Sequence, residues 1–453
     1  MKRIIAIALA VVLCCGLFIT AAFAEESDGV SPDGTSSSSS ETVETTGGTE
    51  VEGEEDKAVE ASPAGPDPDP VVNPETGAIL EDVTVVPDEL GKVSFAHVES
   101  RMRKGNLQVL ALQENVDMLE SIDYDDLKDD LREQLNEIAQ GQWFMVQMGQ
   151  TGTLAYEQMD QAYDAIREQF DAIKDGEMQE DNAGTIRQLK NLQDQIVMGG
   201  EATYVALAAM EIQESSLQRQ LTAMNRTVEE MELRYQMGQI SSLQLSQAKA
   251  GQTSLASGLE TLRMNIRAYK AQLELLLGVE MTGEIELGPV PTVTEKQLEA
   301  MDLEKDLAAA KEKSYALYDA AQTLEDERED FKDNYSYNNS DSLSSRQAWH
   351  TWQSAQYTYQ NTVQNYELRF RNLYAQVNDY KQIWEAAKVS LESQKLRAEA
   401  SELKYEQGTI SYNQLLDARD ELTAAEETVQ SAANDLFSAY NTYCWAVQHG
   451  ILN

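Results

Sequence analysis

Cysteine is nearly absent from this sequence. Of three in 453 residues, Cys14 and Cys15 fall inside an apolar N-terminal run. Only Cys444 lies beyond it, so no intrachain disulfide can staple the rest of the chain. Histidine is as scarce, and His97, His350 and His449 are scattered with no partner at ligand spacing, which argues against a metal site. No phosphate loop, nucleophile elbow or dinucleotide fingerprint occurs. The expectation is no metal, no cofactor and no enzyme. Positive charge is short too: 35 Lys and Arg stand against 78 Asp and Glu, a net charge of −43. A chain so acidic is a poor partner for nucleic acid or anionic lipid. Glycine and proline are thin after residue 91, where Ala, Leu, Gln and Glu dominate, and that composition favours few, long helices.

Two N-terminal stretches stand apart. Residues 1–24 join Lys2 and Arg3 to an apolar run ending in Ala22-Phe23-Ala24, the order of a secretory signal cut before Glu25. Left uncut, a run of this length is also long enough for a membrane anchor. Either way the remainder is exported. Residues 25–90 hold nineteen acids against Lys57 alone, with Ser36 to Ser40 in a row and Pro at 32, 63, 66, 68, 70, 74 and 87. Such a segment cannot bury enough apolar surface to order itself, which predicts a disordered acidic tether.

The rest is a duplication. Residues 233–248 (LRYQMGQISSLQLSQA) and 403–418 (LKYEQGTISYNQLLDA) align without a gap at an offset of 170, with eight of sixteen positions identical. The shared residues have a physical sense. Gly238 and Gly408 suit the left-handed position that ends a helix. Ser241 and Ser411 suit the next N-cap, with Gln244 and Gln414 at N3 to complete a capping box. Ile240 and Ile410 precede the cap, each placed to staple onto Leu245 or Leu415. Each motif is therefore expected to be a tight helix-to-helix turn, which any close helical hairpin could use.

The flanks give the length of the arms. Leu245, Ala248, Gln252, Leu255, Leu259, Leu262, Ile266 and Leu415, Ala418, Leu422, Ala425, Val429, Ala432, Leu436 follow the two turns at alternating spacings of three and four. That average of 3.5 marks a coiled-coil seam. Leu217 to Tyr235 and Phe370 to Leu391 carry the same pattern before the turns. An arm over 347–406 would be about 90 Å long, too long for a compact globule to cover. Shorter helical stretches open each copy at 93 and 302. The Gly-, Pro- and Thr-bearing join from 278 reads as a linker with a short strand at Glu284 to Leu287, and KDGEMQEDNAG at 174–184 reads as a loop. The expected fold is all-α: a signal at 1–24, a tether at 25–90, helical repeats at 91–278 and 297–453, and a linker at 279–296.

The doubled Tyr-x-x-Gly-x-Ile-Ser-x-x-x-Leu-x-x-Ala pattern, Leu276-Leu277-Gly278 before an acidic, Pro-bearing linker, and the two opening helices resemble the TolC-like outer-membrane efflux proteins over roughly residues 93–450. The resemblance implies a homotrimer whose long helices form a hollow α-barrel. It further implies that a periplasmic-adaptor-like protein and an ABC or other inner-membrane pump meet the end bearing the two turns. Carried over, Gly238, Ile240, Ser241, Gly408, Ile410 and Ser411 become adaptor-docking residues. Asp417 matches an acid near the constricted aperture, whereas Gln414 stands where the archetype has a second acid. The sequence also departs from the family where the membrane-barrel strands belong. Tyr163, Ile166, Phe170, Ile173 and Trp349, Trp352, Gln356, Tyr359 keep helical spacing, not the strict alternation such strands need. The expectation is a barrel-less relative in the cell envelope; the alternative is a non-conducting coiled-coil spacer.

Overall fold

The computed structural model describes Asp88, residues 91–337 and 342–452, and two short upstream strands, β1 (Val71–Val72) and β2 (Ile79–Leu80), paired antiparallel. The expected signal segment and nearly all of the acidic tether lie outside these residues. Long helices make up almost all of the rest. After β3 (Lys92–Val93) come α1 (Val98–Gly105), α2 (Leu107–Glu120), α3 (Tyr124–Gln147), α4 (Leu154–Asp175), α5 (Glu177–Gln236) and α6 (Ser242–Leu276). A linker carries β4 (Glu286–Leu287) and α7 (Glu295–Glu299). The second set is α8 (Leu303–Lys313), α9 (Tyr315–Tyr337), α10 (Leu343–Glu406) and α11 (Tyr412–His449). At 1.5 Å per residue, α5 and α10 are each about 90 Å or more in length.

Four helices form one layer in the order α6, α5, α11, α10. Within each copy the two arms form an antiparallel hairpin, α5 with α6 and α10 with α11. The two hairpins join through α5 and α11, which also run antiparallel: Asn441 of α11 donates to Glu201 of α5, and Arg219 of α5 meets Glu427 of α11 at 2.5 Å. Arg226 pairs with Asp420 further toward the turns. The predicted seams are the buried faces, with Leu259, Ile266 and Leu273 of α6, Phe370, Leu373 and Val377 of α10, and Ala432, Leu436, Tyr443 and Ala446 of α11 all covered.

The core lies where the opening helices cross the arms. Met102, Val98, Tyr204, Leu207 and Leu273 centre one cluster; Leu307, Ala310, Phe370, Val377 and Leu436 centre the other. Phe95 links them, its ring edge-on to Tyr204 at 5.6 Å and to Phe437 at 4.7 Å. The opening stretches are not single helices. The first breaks at Asn106, whose side chain caps α2 through the Gln108 and Val109 amides and donates to the Leu276 carbonyl. The second breaks at the buried Ser314. Each break receives the glycine that ends its own copy, so Gly278 (φ +70°) lies against Gly105, and Gly450 (φ +71°) against Lys313 and Ser314.

Two local expectations need correction. The loop expected at 174–184 is a one-residue break: Gly176 (φ +90°) separates α4 from α5, and Asp181 to Gly184 continue α5. Packing overrides propensity there. Gly184 faces the Tyr318 hydroxyl, and the Arg187 guanidinium lies over the Tyr318 ring at 4.3 Å. The linker strand is shorter than expected, Glu286–Leu287 only, and pairs in parallel with β3. Glu274 holds that linker down, accepting from the amides of Thr282, Gly283 and Ile285 and from the Thr282 hydroxyl. Burial alone would raise its carboxyl, but these donors hold it below its ordinary range. Among the described residues no strand occurs between Asn106 and Gln236 or between Ser314 and Glu406; the chain there folds as helical hairpins.

Candidate functional site

The two turns share one geometry. Gly238 and Gly408 both have φ of +71°. The amide of the next residue reaches back five positions, Gln239 to Arg234 and Thr409 to Lys404, which satisfies carbonyls the helix end would otherwise leave open. Ser241 and Ser411 then cap α6 and α11, each in a complete capping box with Gln244 or Gln414. The amide oxygen of Gln414 accepts from the Ser411 backbone at 2.9 Å, so this side chain is committed to the turn. Asp417 is largely exposed and lies 3.5 Å from Arg226, beside the Arg226–Asp420 pair. Because α5 and α11 are antiparallel neighbours, both turns fall at the same end of the layer.

Ile240 and Ile410 are half-buried at that end, while Gly238, Ser241, Gly408 and Ser411 are exposed. Around them stands a collar that the motif itself did not mark: Leu233, Met237 and Leu243 on the first turn, and Leu403 and Tyr412 on the second, all exposed. Tyr235, expected to continue the buried seam, is 44% exposed instead, and its counterpart Tyr405 is 39% exposed. The buried seams therefore fray before the turns and leave apolar surface around them.

The edges of the layer carry a second pattern. On α10, Ala386, Val389, Ser393, Leu396, Ala400 and Leu403 recur at three and four on the face opposite the buried seam. Val389 and Leu396 are 72% and 68% exposed. On α6, Ala250, Ser254, Ser257, Thr261, Met264, Ala268, Ala271 and Leu275 do the same, with Leu243 one heptad before them, all but Ala271 exposed. Each edge helix thus has two heptad faces, of which the chain covers one.

Acids hold the opposite end together across the two copies. Asp194 of α5 binds Arg103 of α1 at 2.7 Å and His449 of α11 at 2.8 Å. Burial would raise its carboxyl, but those two partners outweigh it and the net shift is downward. Glu201 differs. It is buried and accepts from Asn441 Nδ2 and Trp445 Nε1 at 2.7 Å each, while Arg103 and Glu99 act on it with opposite signs from farther off. Burial pushes its carboxyl up against the pull of those donors. A carboxyl raised by folding favours the protonated form, so stability is lost as pH rises from its unfolded value through the raised one. Glu201→Gln keeps an acceptor without the charge. The variant should melt above the native protein at neutral pH, and thermal melts should show that gap closing as pH falls through the weakly acidic range. A gap that does not change with pH would mean Glu201 is not buried at this junction.

His97 binds Asp88 and Ser94, and His350 stacks edge-on against Trp349. Among the described residues no group of three or more His, Cys, Asp or Glu side chains could hold a metal, and no helix is long and apolar enough to cross a membrane. What the arrangement offers is surface: a collared pair of turns and two apolar edges.

No protein-family model matches the chain, and no curated protein matches it. Solved structures do. The chain is similar to the outer membrane protein VceC from Vibrio cholerae at 14% identity and a TM-score of 0.45, over 78% of this chain and 96% of that one. It is similar to CusC, described with its folding and transmembrane channel formation, at 13% and 0.45 over 79% and 96%. It is also similar to the open state of the MtrE outer membrane channel of Neisseria gonorrhoeae, at 12% and 0.39 over 79% and 88%. By their descriptions these are an outer membrane protein, a protein that forms a transmembrane channel, and an outer membrane channel.

Proposed function

We propose that this chain is the subunit of a TolC-like export duct, an extracytoplasmic homotrimer in which α6 of one chain meets α10 of the next. The observation that carries this reading is the register of the second seams. Inside the chain, Arg226 of α5 faces Asp420 of α11, and Arg219 faces Glu427. The repeat offset of 170 takes α5 onto α10 and α11 back onto α6. The equivalent contacts between chains are then Leu396 against Ala250 and Val389 against Ser257, and all four residues belong to the uncovered seams. Large apolar residues fall opposite small ones, the complementarity that lets helices approach closely. Salt bridges occupy the equivalent positions within the chain, so pairing within and between chains uses different chemistry at one geometry.

Three copies of a four-helix layer would give twelve helices around a passage. Both turns of every chain would then ring one mouth, with Asp417 near it and the Leu233, Met237, Leu243, Leu403 and Tyr412 collar outward. Gly238, Ile240, Ser241, Gly408, Ile410 and Ser411 would form the surface offered to a periplasmic-adaptor-like protein served by an ABC or other inner-membrane pump. The excess of acids favours cations over anions in such a passage. A photo-crosslinking residue in place of the exposed Gln239 tests the docking. Co-expressed with an adaptor encoded beside it, it is expected to capture that adaptor; capture of the chain's own copies alone would contradict the docking claim and favour a spacer.

A further inference from the structure

The hairpin of α3 and α4 ends in surface that neither the layer nor the turns explain. The two helices pack mainly on each other, with Gly141 facing the Met159 methyl. They join α5 at its first residue, sixty residues from the Gly238 turn. Beyond Gly141 the hairpin tip exposes Trp143, Phe144, Val146, Met148 and Leu154, between 50% and 71% accessible. From Ile138 to Tyr156 there is not one charged residue, in a chain one quarter of whose residues are charged. The polar groups there are amides and hydroxyls only.

From this tip we infer that it is a lipid-binding wedge that seats in the interfacial zone of a neutral bilayer. Three features select lipid over a protein groove. Lipid requires backbone polar groups to be satisfied within the segment, whereas a protein partner can supply bonds. Half of the amides from Met148 to Ala155 are closed within the hairpin: those of Met148, Gly149, Gln150 and Thr153 go to Phe144, Val146, Met145 and Gln150, and the Thr153 hydroxyl takes the Tyr156 amide. The composition is that of the interface, Trp and Phe with aliphatic residues and uncharged polar ones. The flanks, Glu133, Glu137, Glu157 and Asp160, are all exposed acids, which repel an anionic surface and mark a limit to insertion. The inference uses one hairpin of one chain and stands whether or not the ring forms.

The test uses the full chain with Cys14→Ser, Cys15→Ser and an environment-sensitive fluorophore on Met148→Cys. A matched label on Gln239→Cys, at the opposite end, is the control for any lipid contact through the N-terminal apolar run. With phosphatidylcholine vesicles, the label at 148 should shift to the blue and be quenched by brominated lipid, while that at 239 should not. Adding Trp143→Gln and Phe144→Gln should weaken the partitioning read at 148 by about tenfold or more, with unchanged thermal melting because both side chains are exposed. Equal signals at 148 and 239 overturn the inference. So does binding confined to phosphatidylglycerol vesicles and lost in salt. A blue shift at 148 without any lipid overturns it too, since the tip would then be covered by a second copy.

Discussion

Val389→Glu combined with Leu396→Glu will leave a fully helical chain that no longer assembles. Both side chains are more than two thirds exposed in the single chain, so circular dichroism and the monomer's own cohesion should change little. Between chains the cost is large. Each lost Val or Leu contact removes roughly 1.5–3 kcal/mol of apolar burial, and the new carboxylates would be desolvated against Ser257 and Ala250 with no cation opposite. Two substitutions at every contact of a ring therefore amount to at least about a hundredfold weaker association, since 1.4 kcal/mol is a factor of ten. Light scattering should return a single-chain mass for the variant and a multiple of it for the native protein. A variant that keeps the native mass would place the contact between copies elsewhere.

Gly278→Ala is the second large effect, and its contrast with Gly408→Ala separates conformation from packing. Both glycines are left-handed, at φ +70° and +71°. An alanine at 408 meets nothing within 4 Å and should cost only the left-handed strain, about 1–2 kcal/mol. An alanine at 278 bears the same strain, and its methyl would fall 1.9 Å from the carbonyl oxygen of Gly105. Backbone must move for it to fit, which adds about 1–3 kcal/mol of overpacking. Gly450→Ala, whose methyl would fall 2.3 Å from the Ser314 amide nitrogen, should resemble Gly278→Ala. Urea midpoints should fall in that order. Equal losses at 278 and 408 would mean that the end of α6 does not sit in the break between α1 and α2.

The turns were legible because everything that makes them is local. Gly238, Ser241 and Gln244 sit within seven positions, and the second copy at 408, 411 and 414 repeats them. The buried seams were legible for the same reason, since Leu, Ile and Phe at three and four outweigh their surroundings. The second seams are equally regular, but they are written largely in Ala, Ser and Thr, which a search for large apolar residues passes over. The junction groups could not be found by spacing at all. Asp194 and His449 are 255 positions apart, Glu201 and Trp445 are 244 apart, and only the folded layer unites them. At 174–184 local propensity pointed the wrong way, because Gly184 and Arg187 are held in helix by Tyr318, far along the chain. Gly278 and Gly450 offered a usable signal, each standing just past the seam of its own copy.

The pairing of α6 with α10 can be measured with cysteines at Ala250 and Leu396 in one chain, with Cys14 and Cys15 replaced by serine. Cys444 can remain, since burial pushes its thiol up to about 11 and leaves it protonated and unreactive at neutral pH. A short bis-maleimide should drive the doubly substituted protein to a covalent trimer and no further, while either single substitution gives no ladder. Products that stop at the monomer, or that continue past three copies, would contradict a closed ring built from this edge.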